Sequence, residues 1–182
     1  MRITGGRLGG RRVTCPPGVI RPAMDRMRES MFSILGNLDD MSFLDLFAGS
    51  GVVALEALSR GASEALLVEK DGGKRRTIME NLQMALEDDE LGNARLLIQS
   101  VERVLRPGMK RYDLVHLDPP FPMRGKNRLL ERAEKAGQPA QEGTLMIHYP
   151  SEDAMPEECG ALRRYDLRTY GRSHLAFYTR DD

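Results

Sequence analysis

The sequence predicts an α/β fold built on a mainly parallel sheet. Apolar strand-like runs alternate with amphipathic helical segments over most of the 182 residues, a pattern typical of parallel strands joined by helical crossovers. Two strand-like runs near the C-terminal end, 162–170 and 174–179, have no helical pattern between them, and we expect an antiparallel hairpin there. Hydrophobic residues make up 41% of the chain, enough for the core of one domain of ordinary size.

The first 28 residues form a basic segment in front of an acidic body. They contain seven arginines and one acidic residue, a net charge of +6, whereas the rest carries −6. Glycine pairs at 5–6 and 9–10 predict a hairpin, so we divide the chain into a basic arm, 1–20, and a main domain, 21–182. This asymmetry indicates either a surface that binds a polyanion or a solvated arginine-rich tail.

The elements of the main domain follow from the spacing of apolar residues. Methionine, isoleucine and leucine at helical spacing predict a helix after Pro22, in which the methionines fill the core. Strands and helices then alternate. We expect strands at 43–47, 65–68, 95–99, 112–117 and 144–148, and helices at about 52–60, 78–86 and 128–136. In such sheets ligands bind beyond the carboxyl ends of the strands, so we expect the functional residues at these ends.

A glycine-containing turn follows the first strand, and an acidic residue ends the second. The turn at 45–51 lets the backbone approach a ligand closely, and Glu69 offers two oxygens that match the vicinal hydroxyls of a ribose. The same pattern satisfies the dinucleotide-binding fingerprint. The Asp45 carboxylate favours S-adenosylmethionine, because it attracts a sulfonium and an ammonium group and repels a pyrophosphate.

We therefore predict a methyl-donor site at these strand ends. Ser100 follows the third strand, where its hydroxyl or the backbone of Val101 would meet the adenine edge, with a helix N-cap as the alternative role. The predicted cofactor-binding residues are Asp45, Phe47, Ala48, Gly49, Ser50, Gly51, Glu69, Lys70, Ser100, Val101 and Asp118.

The segment Asp118-Pro119-Pro120-Phe121 follows the fourth strand and predicts the acceptor site, with all four residues taken as catalytic. The prolines restrict the backbone and remove two N–H groups, so nearby carbonyls can face a ligand. A carboxylate and a carbonyl suit the two hydrogens of an exocyclic amine, and an aromatic ring suits the face of a base. The alternative is a proline-rich turn with a capping aspartate.

The remaining residues exclude several classes of protein. Two cysteines are too few for a disulfide scaffold or a four-ligand metal site, so we expect no metal. No stretch approaches a membrane span and the N-terminus lacks a signal peptide, so we expect a cytoplasmic protein without a membrane partner. His116 and His148 are possible bases, but a buried structural histidine is the favoured interpretation at 116, and His148 is not assigned as a base.

In several segments the chain resembles the bacterial family that methylates guanine N2 in small-subunit (16S) rRNA. The segments are Arg2-Ile3-x-Gly5-Gly6, Gly10-Arg11-Arg12, Arg21-Pro22-x-x-Asp25-Arg26-x-Arg28-Glu29-x-x-Phe32, residues 44–51, residues 55–62, Val68-Glu69, Asp118-Pro119-Pro120-Phe121 and Tyr170-Gly171. The resemblance implies a Rossmann-like class I methyltransferase sheet, S-adenosylmethionine as cofactor, and a monomer that acts on ribosomal RNA or the small ribosomal subunit.

The resemblance also implies that the arginines of the basic segment bind RNA. They are Arg2, Arg7, Arg11, Arg12, Arg21, Arg26 and Arg28. The acceptor motif by itself leaves open DNA adenine or cytosine amines, or another RNA. A different class also stays open, either an NAD-dependent oxidoreductase or an inactive RNA-binding relative.

Overall fold

Strands and helices alternate along the chain in the residues that the computed structural model describes, 1–17 and 25–182. These residues divide into two units, 1–100 and 101–182. The predicted boundary between arm and main domain, after residue 20, lies outside the described residues. The α/β fold class is confirmed, with parallel strands first and antiparallel strands at the C-terminal end.

Unit 1 is built on three parallel strands. Its helices are α1 (Asp25–Leu35), α2 (Val52–Ser59) and α3 (Arg75–Ala85), with short 3-10 turns at Gly72–Lys74 and Leu91–Asn93. Its strands are β1 (Ser42–Asp45), β2 (Glu64–Glu69) and β3 (Ala94–Ile98). Strand β2 lies between β1 and β3 and is parallel to both.

Apolar spacing explains how the helices of unit 1 pack. Helix α2 is buried along its whole length, so every one of its residues avoids solvent. Helix α3 buries Ile78, Leu82 and Ala85, which recur on one face of a helix, while its opposite face is polar. In α1 the methionines Met27 and Met31 are buried, which confirms their role in the core for this described part of the helix.

The N-terminal residues pair with one another and dock on helix α2. Arg2 and Arg12 form an antiparallel bridge, as the predicted hairpin requires. The backbone N–H of Leu8 donates to the Ser59 hydroxyl at 2.9 Å. Gly6 has a φ of +74°, and a Cβ there would lie 2.1 Å from the Ser59 carbonyl oxygen, so only glycine fits this approach.

Unit 2 contains the antiparallel part of the fold. Its helices are α4 (Val101–Val104) and α5 (Lys126–Lys135), and its strands are β4 (Leu114–Leu117), β5 (Thr144–Pro150), β6 (Glu158–Cys159), β7 (Leu162–Tyr170) and β8 (Ser173–Arg180). Strands β4 and β5 are parallel, whereas β8 is antiparallel to both β5 and β7. The predicted C-terminal hairpin is therefore confirmed. Strand β6 is only two residues long, too short for apolar spacing to predict it.

Across the described ranges, none of the helices combines the length and the apolar composition that a membrane crossing requires.

Candidate active site

Two carboxylates end the first two strands of unit 1. Asp45 is the last residue of β1 and is fully buried. Glu69 is the last residue of β2, and its side chain is 10% exposed. Glu69 lies at the strand end that the sequence predicts, whereas β1 ends at Asp45, two residues before its predicted end at residue 47. The roles of both residues in cofactor binding stay predictions.

Glu69 ties the glycine turn to the end of β2. Its Oε2 accepts the N–H of Gly49 at 2.9 Å, and its Oε1 accepts the N–H of Asp71 at 2.9 Å. A carboxylate has about four acceptor positions, so these two bonds leave room for the hydroxyls of a ribose. Gly49 has a φ of +59°, and a Cβ there would meet no atom within 4 Å. The turn is therefore open to a ligand beside the carboxylate.

The other residues of the turn are held by backbone contacts. The N–H of Ala48 donates to Val68 at 2.9 Å, and the N–H of Gly51 donates to Ala48 at 2.8 Å. The Asn81 amide donates to the carbonyl of Ser50 at 2.8 Å, which anchors the turn on helix α3. These bonds fix the backbone around Gly49 without using its open side.

The remaining predicted donor residues occupy different environments. Phe47 and Ser100 are half-buried, Lys70 is exposed, and Val101 is buried at the first residue of α4. The cation beside Glu69 is Lys74, whose Nζ lies 3.7 Å from Oε1. Lys74 belongs to a 3-10 turn that sequence spacing does not predict, and the sequence analysis therefore missed it.

In unit 2, Asp118 follows β4 and forms a chain of polar contacts. The Asp118 carboxylate oxygen Oδ1 lies 2.9 Å from Nδ1 of His148, and His148 Nε2 lies 2.8 Å from the Ser173 hydroxyl. That hydroxyl also contacts the carbonyl of Tyr170 at 3.0 Å. The Asp118 side chain keeps 18% of its surface exposed. It is therefore held on one side and open to solvent on another.

A buried lysine holds the loop that carries Phe121. Lys126 is 3% exposed, and its ammonium donates to the carbonyls of Phe121 at 2.8 Å and Met123 at 2.7 Å. Its third hydrogen bond goes to the Asp153 carboxylate at 2.6 Å. All three donors of the ammonium are thus used, as a buried charge requires.

The Phe121 ring also contacts His148, with ring centroids 5.1 Å apart and an angle of 60° between the planes. Within the motif, Pro119 is buried and Pro120 is exposed, while Phe121 is half-buried. One side of the motif is thus packed against the protein, whereas the Asp118 carboxylate and the Phe121 ring remain partly exposed to solvent. This combination suits a flat ligand with an amino group.

His148 is the site residue that the sequence analysis failed to assign. Strands β4 and β5 pair in parallel with Leu114 opposite Thr144 and Leu117 opposite Ile147. Continued by one residue, this register brings Asp118 opposite His148. The signal in the sequence is that Asp118 follows one predicted strand and His148 ends the next strand along the chain. His116, by contrast, is 1% exposed in the middle of β4, in agreement with a structural role in the core.

The basic residues of the N-terminal segment differ in their exposure. Arg12 and Arg26 are exposed, and the Arg2 side chain is 68% exposed beside Asp25. Arg7 pairs with Glu90 at 2.6 Å. Arg11 donates to the carbonyl of Ala85. The pKa of Glu90 is lowered, mainly by the backbone N–H of Glu87 and further by Arg7 and Arg11.

Arg28 is fully buried, and this contradicts the prediction that it contacts RNA. Its guanidinium donates to Asp25 at 2.7 Å and to the carbonyl of Arg2 at 2.6 Å, and its Nε lies 3.7 Å from Glu56. The position therefore serves the packing of unit 1. Arg21 lies outside the described residues.

No cluster of three or more His, Cys, Asp or Glu side chains that could hold a metal ion occurs in ranges 1–17 and 25–182. The candidate groups described above are carboxylates, backbone N–H groups, an imidazole and an aromatic ring.

Comparisons with known proteins agree with this chemistry. A family model described as Conserved hypothetical protein 95 matches residues 1–179. The chain is 32% identical over 183 residues to the Putative rRNA methyltransferase YlbH of Bacillus subtilis, with 98% of each chain covered. It is 34% identical over 159 residues to the Ribosomal RNA small subunit methyltransferase D of Escherichia coli K12, covering 86% of this chain and 78% of that protein.

Solved structures lead to the same group of proteins. The structure of the Putative methyltransferase yhhF from Escherichia coli superimposes with a TM-score of 0.88 and 30% identity, covering 100% of this chain and 98% of that one. The Rossmann-like fold is therefore confirmed. The chain belongs to the Conserved hypothetical protein 95 family, and within it to the methyltransferases of small-subunit ribosomal RNA.

Proposed function

We propose that this chain transfers a methyl group from S-adenosylmethionine to the exocyclic N2 amine of a guanine in small-subunit ribosomal RNA. The observation that carries the proposal is the acceptor motif at the end of β4. Its carboxylate, Asp118, is held by His148 and still 18% exposed, and its ring, Phe121, is half-buried next to the same imidazole.

Unit 1 supports the identity of the donor. When bound, S-adenosylmethionine supplies a methyl group on a positively charged sulfur, which leaves as a neutral thioether. Two carboxylates at neighbouring strand ends, Asp45 and Glu69, suit this cation better than a pyrophosphate, and the open backbone at Gly49 gives a close approach. In the proposal Glu69 accepts the ribose hydroxyls, and Asp45 attracts the positive charge.

The acceptor residues orient an amine whose lone pair is delocalised into the base. In the proposal, the Asp118 carboxylate and the Pro119 carbonyl accept its two N–H hydrogens, which favours a pyramidal nitrogen with its lone pair free for attack. Phe121 stacks on the base, a contact worth about 1–3 kcal/mol. As the nitrogen–carbon bond forms, the nitrogen loses one proton to Asp118 or to water. In the proposal, alignment of the nitrogen lone pair with the methyl group supplies most of the rate acceleration.

The exposed arginines support an RNA substrate, either naked ribosomal RNA or the small subunit. Arg12 and Arg26 are the most suitable because both are exposed, whereas Arg7 and Arg11 already contact other groups of unit 1. Each phosphate contact that is lost lowers the slope of log affinity against log salt by about 0.7–0.9. The double variant Arg12→Ala/Arg26→Ala should therefore bind RNA with a shallower slope, and Arg76→Ala, an exposed arginine on α3, is the matched control.

The proposal is tested by transfer of a labelled methyl group to small-subunit RNA, to assembled small subunits and to DNA, followed by mass analysis of the nucleosides. We expect label in N2-methylguanosine from the ribosomal substrates. Label in adenine or cytosine of DNA would replace the proposed acceptor. Calorimetric binding of NAD without binding of S-adenosylmethionine would overturn the proposed donor.

A further inference from the structure

We propose that His148 is a positioning residue for both functional members of the acceptor motif. Its Nδ1 holds the Asp118 carboxylate at 2.9 Å, and its ring lies 5.1 Å from the ring of Phe121. On the far side of the imidazole, Nε2 contacts the Ser173 hydroxyl, which in turn contacts the carbonyl of Tyr170. The inference rests on the proposed function, because it assigns to Asp118 and Phe121 the acceptor amine and its base.

The burial of the imidazole makes its contacts specific. His148 is 6% exposed at the carboxyl end of β5, and Ser173 is 3% exposed at the start of β8. Strands β5 and β8 pair in antiparallel register in this region, with His148 opposite Leu175 and Pro150 opposite Ser173. The sheet therefore fixes the distance between the imidazole and the hydroxyl, so the ring cannot turn away from Asp118 without breaking its bond to Ser173.

The contact with an ionised Asp118 requires a proton on Nδ1 of His148, whichever way the Ser173 hydroxyl points. The Ser173 hydroxyl has one hydrogen and two neighbours, the Tyr170 carbonyl and His148 Nε2. If the hydroxyl donates to the carbonyl, it accepts from an Nε2–H; if it donates to Nε2, that nitrogen carries no hydrogen. In both arrangements an ionised Asp118 at 2.9 Å requires a proton on Nδ1, because two lone pairs at that distance repel.

This proton has a direct consequence for the acceptor. Nδ1–H takes one of the two acceptor positions of Asp118 Oδ1, so Oδ2, which has no contact with the imidazole, is the more open oxygen for a hydrogen of the amine. The imidazole therefore sets the orientation of the carboxylate plane, and through the ring contact it also sets the position of Phe121. His148 acts through these two residues and is not itself in the transfer step.

Two substitutions separate this role from simple packing. The amide nitrogen of asparagine is as many bonds from the backbone as Nδ1, whereas that of glutamine corresponds to Nε2. His148→Gln should lower kcat about 10- to 100-fold, the effect of losing a hydrogen bond to a charged group, with an unchanged KM for the donor. His148→Asn should recover a substantial part of kcat. His174→Asn, at a histidine that contacts Thr169, is the control and should leave kcat unchanged.

Equal losses in the asparagine and glutamine variants would overturn the inference, as would a change confined to the donor KM. A second readout does not depend on activity. Long-range ¹H–¹⁵N spectra should show that Asp118→Asn shifts the Nδ1 resonance of His148 and leaves that of His174 in place, and an unshifted resonance would overturn the contact. A wild-type protein that methylates no guanine would overturn the proposed function, while the spectra still decide the His148 contact.

Discussion

Replacing Glu56 with alanine removes the acid that joins three segments of unit 1. Glu56 is fully buried on α2 and accepts the N–H of Thr4 at 2.8 and 3.0 Å, while its Oε1 lies 3.7 Å from Nε of Arg28. Removing one partner of a buried ion pair costs about 3–5 kcal/mol, because the other charge stays in the interior. Arg28 keeps its contacts with Asp25 and with the carbonyl of Arg2, so we expect a loss of about 3 kcal/mol, at the lower end of this range.

Urea unfolding followed by circular dichroism measures this loss. With a slope of about 2 kcal/mol/M, the midpoint for Glu56→Ala should fall by about 1.5 M. The matched control is Glu80→Ala, which removes the acid of an exposed pair with Arg76 on α3, where side-chain exposures are 54% and 89%. The control should leave the midpoint close to that of the wild type. A Glu56→Ala midpoint as high as that of the control would refute the assignment of Glu56 as the buried anchor of the N-terminal segment.

Three further predictions concern other groups of the molecule. Lys126→Met leaves two carbonyls and Asp153 without their donor, so we expect the free energy of unfolding in urea to fall by about 1–3 kcal/mol and kcat to fall because the loop of Phe121 loosens. Wild-type values of both would contradict the role of Lys126 in holding this loop. Glu69→Gln removes the charge that accepts two backbone N–H groups and should raise the donor Kd about tenfold in calorimetry, whereas an unchanged Kd would remove Glu69 from the donor site. Burial raises the pKa of Tyr178 to about 12, so between pH 10 and 12 this tyrosine ionises first in the unfolded chain and the stability of the fold decreases. Phenolate absorbance should show a late-titrating tyrosine that is absent in Tyr178→Phe, and identical titration curves for wild type and variant would contradict the raised pKa.

The sequence predicts those parts of the fold that depend on local periodicity. Alternating apolar runs locate the strands to within a few residues, and the lack of a helical pattern between 162–170 and 174–179 identifies the C-terminal hairpin. The predicted ends of the second and fourth strands also give the positions of Glu69 and Asp118, because a strand boundary is a local property, whereas β1 ends at Asp45, before the end that its apolar run predicts.

The residues that the sequence analysis missed or misplaced depend on contacts distant along the chain. His148 contacts Asp118 only because β4 and β5 pair in one particular register. Arginine is usually exposed on the surface, but Glu56, 28 residues along the chain on α2, provides the acid that permits the burial of Arg28. Lys126 is buried because Asp153, 27 residues along the chain, meets its ammonium together with two carbonyls of the preceding loop. None of these partners follows from spacing within a single element.

The central claim is that the carboxylate after β4 holds the acceptor, while the donor is held mainly by other residues, among them Asp45 and Glu69. The most direct measurement compares wild type with Asp118→Ala in two assays, calorimetric binding of S-adenosylmethionine and labelled methyl transfer to small-subunit RNA. We expect the variant to keep most of its affinity for the donor and to transfer no methyl group. Full transfer activity in the variant would contradict the role assigned to Asp118.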